Sequence, residues 1–258
     1  GYIAGIATDI NGDGDTTDGG AENTNGGGSD IFVSVFNSAG TWQWAKRLGA
    51  PSGSDQSNAV NIDSANNVIV IGDVGGAVDV NGDGDSTDGG AESATGYGAN
   101  DIIISVFNSA GTWQWAKRLG GVGADTGEGV AVDSANNIIF TGNITGAADV
   151  NGDADLTDGG AESATGYGSQ DIIISSFNSS GTWQWAKRLG GTNDDASESI
   201  SADSNGNIAF IGSATGAVDV NGNMNYIDGG AESATGYGGL DILISVFSSN
   251  GNCSKSAS

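Results

Sequence analysis

The chain repeats itself. The segment DIIISVFNSAGTWQWAKRLGG begins at Asp101, near-copies begin at Asp30 and Asp171, and a shorter copy, DILISVFSSNG, begins at Asp241. Successive copies are spaced by 71, 70 and 70 residues. A fixed period is typical of architectures in which each unit is one supersecondary element that packs on its neighbours. We therefore divide the chain into units 30–100, 101–170 and 171–240, with partial units at 1–29 and 241–258.

One unit contains four short strand patterns and no helical periodicity. In the second unit these patterns cover residues 101–108, 112–119, 129–133 and 137–142, separated by turn sequences such as NSAG and SANN. The fold class is predicted to be all-β, with tandem four-stranded blades of about 70 residues, as in a β-propeller. An open β-solenoid or superhelix of the same units is the alternative.

The segment from residue 101 to residue 146 resembles a known family. A strand followed by G…WA…GG and then by A..VD..GN....TG is similar to the bacterial β-propeller repeat called SBBP, and residues 30–76 and 171–216 carry the same pattern. The resemblance implies a propeller-type fold and a secreted or cell-surface, bacterial-type location, and it implies no defined activity. The chain departs from the family by an insertion of about 20 residues between blades.

The insertion contains an acidic loop that occurs four times. The copy DVNGDGDSTDGGAE, residues 79–92, places Asp or Asn oxygens at positions 1, 3, 5 and 7 and Gly84 at position 6. Alternate oxygen ligands around a tight glycine turn suit Ca²⁺, which takes about 6–8 oxygens. The loop has no Glu at position 12 and no flanking helix. It therefore resembles the helix-free calcium loops of thrombospondin type-3 or RTX repeats, or half of a dockerin loop, rather than an EF-hand.

We predict Ca²⁺ as the cofactor of these loops. A solvated acidic turn without metal is the alternative, and the two are balanced in the fourth loop, where Asn223, Met224 and Asn225 replace Asp, Gly and Asp. The predicted ligands are Asp9, Asn11, Asp13, Asp15, Asp18, Asp79, Asn81, Asp83, Asp85, Asp88, Asp149, Asn151, Asp153, Asp155, Asp158, Asp219, Asn221, Asn223, Asn225 and Asp228. Further ligands are expected at position 14, namely Glu22, Glu92, Glu162 and Glu232.

The charge and the amino-acid composition of the chain argue against several classes of function. The formal net charge is −25, from 32 acidic against 7 basic residues, and 18 of the acidic residues lie in the four loops. Such a chain is expected to avoid nucleic acid and anionic membranes. It has no His, its single Cys253 cannot form an internal disulfide, and no apolar run is long enough for a membrane helix. Because near-identical carboxylates recur in every unit, we expect no single tuned catalytic site and no enzyme.

Basic and aromatic residues also recur once per unit. The Lys–Arg pairs, such as Lys117 and Arg118, are expected to pair with acidic residues such as Asp101 or Asp133, and a polyanion-binding ladder is the alternative. The Trp pairs, such as Trp113 and Trp115, are expected to pack between units, and stacking on sugars is the alternative. Loop anchoring or sugar binding is expected of Tyr97, Tyr167 and Tyr237.

Both ends of the chain look like parts of a unit. GYIAGI aligns with the fourth strand and DILISVF with the first, whereas a third strand is missing. We expect either a piece of a longer protein or head-to-tail completion between molecules. The predicted function is an extracellular, calcium-stabilised structural or adhesive repeat protein that self-assembles into a surface layer or fibre. A glycan-binding, lectin-like propeller and a non-catalytic domain of a larger secreted enzyme are the alternatives.

Overall fold

The computed structural model confirms the all-β class. It describes residues 2–4, 8–16, 22, 28–51, 53–92, 96–156, 158–162, 166–225 and 238–257, with the backbone alone at 2–4 and 255–257. Within these ranges no α-helix occurs, 3₁₀ turns are formed by Gly90–Glu92 and Gly160–Glu162, and Glu22 also has the 3₁₀ conformation. The predictions at Asp18, Asp228, Glu232 and Tyr237 lie outside the described residues.

Seventeen strands make up the described fold. In chain order, β1 to β17 are Tyr2–Ala4, Ser29–Phe36, Trp42–Leu48, Gln56–Ile62, Val68–Val74, Asp101–Phe107, Trp113–Gly121, Thr126–Val132, Ile138–Ile144, Ala148–Asp149, Asp171–Phe177, Trp183–Gly191, Ala196–Ala202, Asn207–Thr215, Val218–Asp219, Leu240–Ser248 and Cys253–Ala257.

These strands form four antiparallel sheets. Sheet 1 has the order β1-β2-β3, sheet 2 has β4-β5-β6-β7, sheet 3 has β8-β9-β11-β12, and sheet 4 has β13-β14-β16-β17. The short strands β10 and β15 add to the outer edges of sheets 2 and 3. Each complete sheet thus joins the third and fourth strands of one sequence unit to the first and second strands of the next. The blades are therefore displaced by half a unit from the sequence repeat.

Predicted strand bounds in the second unit lie within two residues of the structure except at the start of the third strand. That strand begins at Thr126 rather than at residue 129, because a bulge between Gly127 and Gly129 interrupts the alternation while pairing with β9 continues. The stretch TGE that precedes the predicted strand is therefore part of β8 and not of a loop.

The sheets stack face to face, and their cores lie between them. The third-strand elements β4, β8 and β13 lie beside one another, and β5 and β9 also contact the following sheet. Between sheets 2 and 3, Ile71 and Ile102 pack in one cluster with Val130, Phe140 and Phe177. All seven residues of β5, β6, β9 and β11 are buried, because internal sheets are covered on both faces.

One Trp of each pair packs between sheets, as predicted. The Trp115 Nε1 donates a hydrogen bond to the Ser179 carbonyl at 3.0 Å, and the indole lies against Gly181 and Phe177 of the next sheet. The same contact joins Trp44 to Ser109 and Trp185 to Ser249. The prediction was wrong for Trp42, Trp113 and Trp183, which stay about two-fifths exposed. A bulge separates the members of each pair and turns these three residues outward.

The terminal strands pair within their own ends of the array. β1 pairs with β2 in sheet 1, and β17 pairs with β16 at the edge of sheet 4. Sheets 1 and 4 share no strand pairing in the part of the chain that the structure describes. The described sheets therefore do not close into a barrel.

A matched glycine pair tests the Trp contact. Gly111 and Gly40 occupy equivalent turns at φ 76° and 77°, but a Cβ on Gly111 would lie 2.8 Å from Trp44 Cδ2, whereas nothing lies within 4 Å at Gly40. Gly40→Ala should cost about 1–2 kcal/mol for the left-handed backbone. Gly111→Ala should cost about 1–3 kcal/mol more, because the indole must move. Urea unfolding of dilute protein measures both, and equal losses would contradict the role of Trp44.

Candidate functional site

Three of the four acidic loops begin at the point where the chain returns to the edge of the preceding sheet. Asp79 pairs through its backbone with Gly49 beyond β3, Asp149 pairs with Gly120 of β7, and Asp219 pairs with Gly190 of β12. The next residue in each loop is held by the following sheet, as the Ser105 Oγ of β6 donates to the Val80 carbonyl at 2.7 Å. The loops therefore fasten consecutive sheets to each other.

Inside a loop, the acidic and amide side chains bond to the loop backbone. Asp79 Oδ1 accepts from the Gly82 N–H at 2.6 Å, and Oδ2 accepts from the Gly84 N–H at 2.8 Å. Asn81 Oδ1 accepts from Asp83 N–H, and Asp83 Oδ1 accepts from Asp85 N–H, at 2.8 and 2.9 Å. Side chains at positions 1, 3 and 5 thus shape the turn by local side-chain-to-backbone bonding.

The loop backbone persists where the sequence departs from its pattern. Position 6 is left-handed at Gly84 with φ 93°, and it stays so at Ala154 and Met224, with φ 71° and 67°. In both cases the N–H at position 6 still donates to the aspartate at position 1, Asp149 or Asp219. The fourth loop therefore keeps the form of the others through residue 225, despite its two asparagines.

The glutamate at position 14 closes each described loop. Glu92 Oε1 accepts from Val80 N–H at 3.1 Å, and its Oε2 accepts from Asp88 N–H at 3.2 Å. In Glu22 and Glu162 the corresponding Oε1 bond is present, but Oε2 is buried without a hydrogen-bond partner. Burial, followed by the charges of neighbouring aspartates, raises the pKa of Glu162. Two loops therefore contain a buried carboxylate oxygen that lacks a positive or donor partner.

The donor chemistry of the loops fits a hard cation, but the side chains do not form a preassembled cage. The position-1 residues Asp79, Asp149 and Asp219 are buried or nearly so, whereas the aspartates at positions 5 and 7 are exposed. Positions 3 and 10 meet, as Asn81 Nδ2 donates to Asp88 Oδ2 at 3.2 Å. Among the described residues, no group of three or more His, Cys, Asp or Glu side chains is placed to hold a metal ion.

A lysine and a tyrosine hold the loops in place, and the sequence predicted loop anchoring for the tyrosines but not for the lysines. Lys117 Nζ donates to the Gly152 carbonyl at 3.0 Å, and Lys46 and Lys187 make the same contact with their loops. Tyr97 Oη donates to Asp149 Oδ2 at 2.6 Å, as Tyr167 does to Asp219. Burial and Asp149 raise the pKa of Tyr97, which keeps the phenol a donor. Both residues recur once per unit, and this recurrence is the sequence feature that could have indicated their contacts with the loops.

The arginine of each basic pair lies in a buried ion pair, as predicted. Arg118 Nε and Nη2 each lie 2.8 Å from Asp101 Oδ2, and Nη1 donates to the Gly76 carbonyl. Arg188 pairs likewise with Asp171, and Arg47 with Asp30. Asp133, the other expected partner, instead accepts from the Ala135 and Asn137 N–H groups in the turn after β8.

A second carboxylate lies beside each of these ion pairs. Asp101 Oδ1 and Asp125 Oδ2 both lie within 3.0 Å of the point where a Cβ on Gly120 would stand, and both residues are fully buried. Burial raises the pKa of Asp125 to about 6, with a further increase from Asp101, although two backbone N–H groups oppose it. The pKa of Asp195 beside Asp171 is also raised to about 6. Both members of each of these pairs are excluded from solvent.

The comparisons with known proteins show a family similarity for one segment of the chain. Residues 114–147, which run from β7 through β9, match the family model described as a beta-propeller repeat, SBBP. Among the curated proteins, none matches the sequence. In the described ranges, no helix is both long enough and apolar enough to cross a membrane. Residues 114–147 are therefore similar to a beta-propeller repeat, and they lie within an array of similarly built sheets.

The buried carboxyl pairs predict a pH dependence of stability. Because the pKa values of Asp125 and Asp195 are raised from 3.8 to about 6, the folded chain keeps protons that the unfolded chain loses. Their contribution is complete below about pH 4 and is lost as the pH rises through 6, by on the order of 2–3 kcal/mol each. Urea unfolding in a calcium chelator between these limits measures the loss.

A double substitution provides the test of that assignment. Asp125→Asn with Asp195→Asn should flatten the decline in stability between pH 4 and pH 6, whatever its effect on the absolute value. The control is Asp203→Asn, at an exposed turn where hydrogen bonds from Asn207 lower the pKa of Asp203. An unchanged decline in the double variant would show that other groups are responsible.

Proposed function

We propose that this chain is an extracellular, calcium-stabilised structural or adhesive repeat protein, whose acidic loops bind cations that fasten consecutive sheets. The observation that carries the proposal is the buried, unpartnered Oε2 of Glu22 and Glu162. Each lies within a loop that also concentrates aspartates. A buried carboxylate oxygen without a partner is costly, and a bound cation would offset that cost.

Calcium is the cation that the donor set favours. The ligands offered by the loops are carboxylate and amide oxygens, and the chain has no His that would favour a transition metal. The residues proposed to hold the ion are those at positions 1, 3, 5, 7 and 10, with the glutamate at position 14. When bound, calcium would supply positive charge at a site where several carboxylates repel one another.

The position of the loops gives the proposed ion a structural role. Loop 79–92 is bonded to sheet 1 at Gly49 and Lys46 and to sheet 2 at Ser105. A cation that stabilises this loop would stabilise the contact between the two sheets. The same holds for loop 149–162, which is bonded to sheet 2 through Lys117 and Tyr97 and to sheet 3 through Ser175. The loops would therefore strengthen the array rather than perform chemistry.

A structural or adhesive role also accords with what repeats in the chain. Arginine, lysine, buried tryptophan and buried carboxylates serve contacts within and between sheets, and these contacts recur from unit to unit, which supports a structural role. The resemblance to secreted and cell-surface repeats supports an extracellular location of bacterial type. We further propose that the protein self-associates, as a surface layer or fibre.

Glycan binding is the second candidate, and one observation favours it. Trp42, Trp113 and Trp183 recur on the outer strands with about two-fifths of each side chain exposed, and exposed indoles stack on sugars. The phenols of Tyr97 and Tyr167 are instead bonded to loop aspartates. Quenching of Trp fluorescence by oligosaccharides that is lost when Trp42, Trp113 and Trp183 are all replaced by Ala would support this candidate. A non-catalytic domain of a larger secreted enzyme is the third reading.

Calcium should raise the melting temperature of the protein. A ligand that binds only the folded state adds about 2.7 kcal/mol per site when its free concentration is about a hundredfold above Kd. The matched variant is Asp83→Asn with Asp85→Asn, which gives loop 79–92 the amides of the fourth loop at positions 5 and 7. It should melt like the parent in chelator and gain less from calcium. Calorimetry with and without calcium measures both.

Two controls test whether the calcium effect is specific to the acidic loops and to calcium. Asp133→Asn changes a carboxylate in a turn outside the acidic loops and should leave the calcium response unchanged. Magnesium should stabilise less than calcium, because it prefers fewer protein ligands and more water. A melting temperature that is indifferent to both calcium and a strong chelator would overturn the calcium proposal.

A further inference from the structure

Each internal sheet of the array presents an apolar back face to the next sheet. In sheet 2 this face contains Ile71, Ile102 and Ile104, and each of them is fully buried. Atoms of Ile71 and Ile102 lie 2.7 and 3.0 Å from the point where a Cβ on Gly127 of β8 would stand. The glycine thus admits the isoleucines of the preceding sheet. In sheet 3, Ile172 and Ile174 are equally buried at the equivalent positions.

Sheet 4 carries the same face, and no sheet formed by the described residues covers it. Ile211 lies opposite Ile244, just as Ile71 lies opposite Ile104 in sheet 2. Ile211 and Ile244 are 44% exposed, and Ile242 and Leu240 are 71% exposed. We name these four residues the isoleucine face. A contiguous apolar patch of this kind on a soluble protein marks an interaction surface.

Sheet 1 carries the complementary front face, and it is also open. Phe36 is 48% exposed, whereas its equivalents Phe107, Phe177 and Phe247 are fully buried. Gly40 has nothing within 4 Å, whereas Trp44, Trp115 and Trp185 occupy the corresponding space at the next three turns. We name Phe36 and the turn at Gly40 the front seat.

We propose that the isoleucine face of one molecule docks on the front seat of a second copy of this chain. Within the chain, the back face of one sheet packs on the front face of the next, and this contact joins sheets 1 to 2, 2 to 3 and 3 to 4. The docking would therefore repeat an interface that occurs three times in the described structure. The contact is heterologous, and such contacts form open arrays when rotation does not close them. This inference rests on the self-association proposed above and names the surfaces that produce it.

The contact between copies differs from the internal ones in two ways. Backbone pairing places Lys255 of β17 opposite Val246, the register position held by Trp115 opposite Val106. No indole therefore comes from sheet 4 to the front seat. Sheet 1 also has three described strands, where the other sheets have at least four. The association should accordingly be weaker than the internal stacking and should depend on protein concentration.

Sedimentation velocity over a wide concentration range tests the docking. The parent chain should form species that grow beyond a dimer. Ile242→Lys and, separately, Phe36→Ser should each weaken association by about tenfold or more, as expected when one apolar side chain leaves a buried contact. Val122→Lys, at a 74% exposed position outside both surfaces, is the control and should associate like the parent. Lys255→Trp should strengthen association by supplying the missing indole.

Mixing the two weakened variants tests the polarity. The Ile242→Lys chain keeps its front seat and the Phe36→Ser chain keeps its isoleucine face, so an equimolar mixture should form a finite one-to-one complex that neither forms alone. A parent chain that remains monomeric while calcium still raises its melting temperature would overturn the docking and leave the calcium proposal standing. Association that both variants retain would overturn these surfaces while leaving self-association intact.

Discussion

Burial of both faces of the internal sheets is the constraint on which the structure depends. A strand such as β6 or β9, in which every residue is buried, is unstable on the surface of an isolated unit and requires a sheet on each side. Stacking satisfies this requirement at each step, and glycines on the covering strands let isoleucine side chains approach closely. The polar and acidic residues are consequently displaced to the loops at the sheet edges. This one requirement explains why apolar residues lie between the stacked sheets and acidic residues lie in the loops at the sheet edges.

The acidic loops combine two kinds of carboxylate. At position 1 the aspartate is an organiser of the backbone, since Asp149 accepts N–H groups from Asn151, Gly152 and Ala154 and the phenol of Tyr97. At positions 5 and 7 the aspartates are exposed. Their negative charge is not required for the turn, because asparagines at these positions keep the same backbone in the fourth loop. This division accounts for the fourth loop, which keeps Asp219 and its hydrogen bonds but has amides at the exposed positions.

Much of the fold could be predicted from the sequence, because period and alternation report directly on strands. The all-β class, four strands per unit and the pairing of Arg118 with Asp101 followed from the pattern. The half-unit displacement of the sheets did not, since a periodic sequence aligns equally well from any starting point. The bulge that turns Trp113 outward and the contact of Tyr97 with Asp149, 52 residues away, depend on register and on the return of the chain to the preceding sheet. The calcium ligands remain a prediction.

The displacement of the sheets from the repeat also determines how the array would respond to a break in the chain. The loop between β5 and β6 is the most acidic connection of its unit, yet the two strands that it connects are hydrogen-bonded neighbours in sheet 2, paired at seven residues from Val68 and Phe107 to Val74 and Asp101. A single cleavage in this loop would leave both fragments inside one sheet. Continuity of the array is thus maintained by hydrogen bonds across the sheet as well as by the covalent chain.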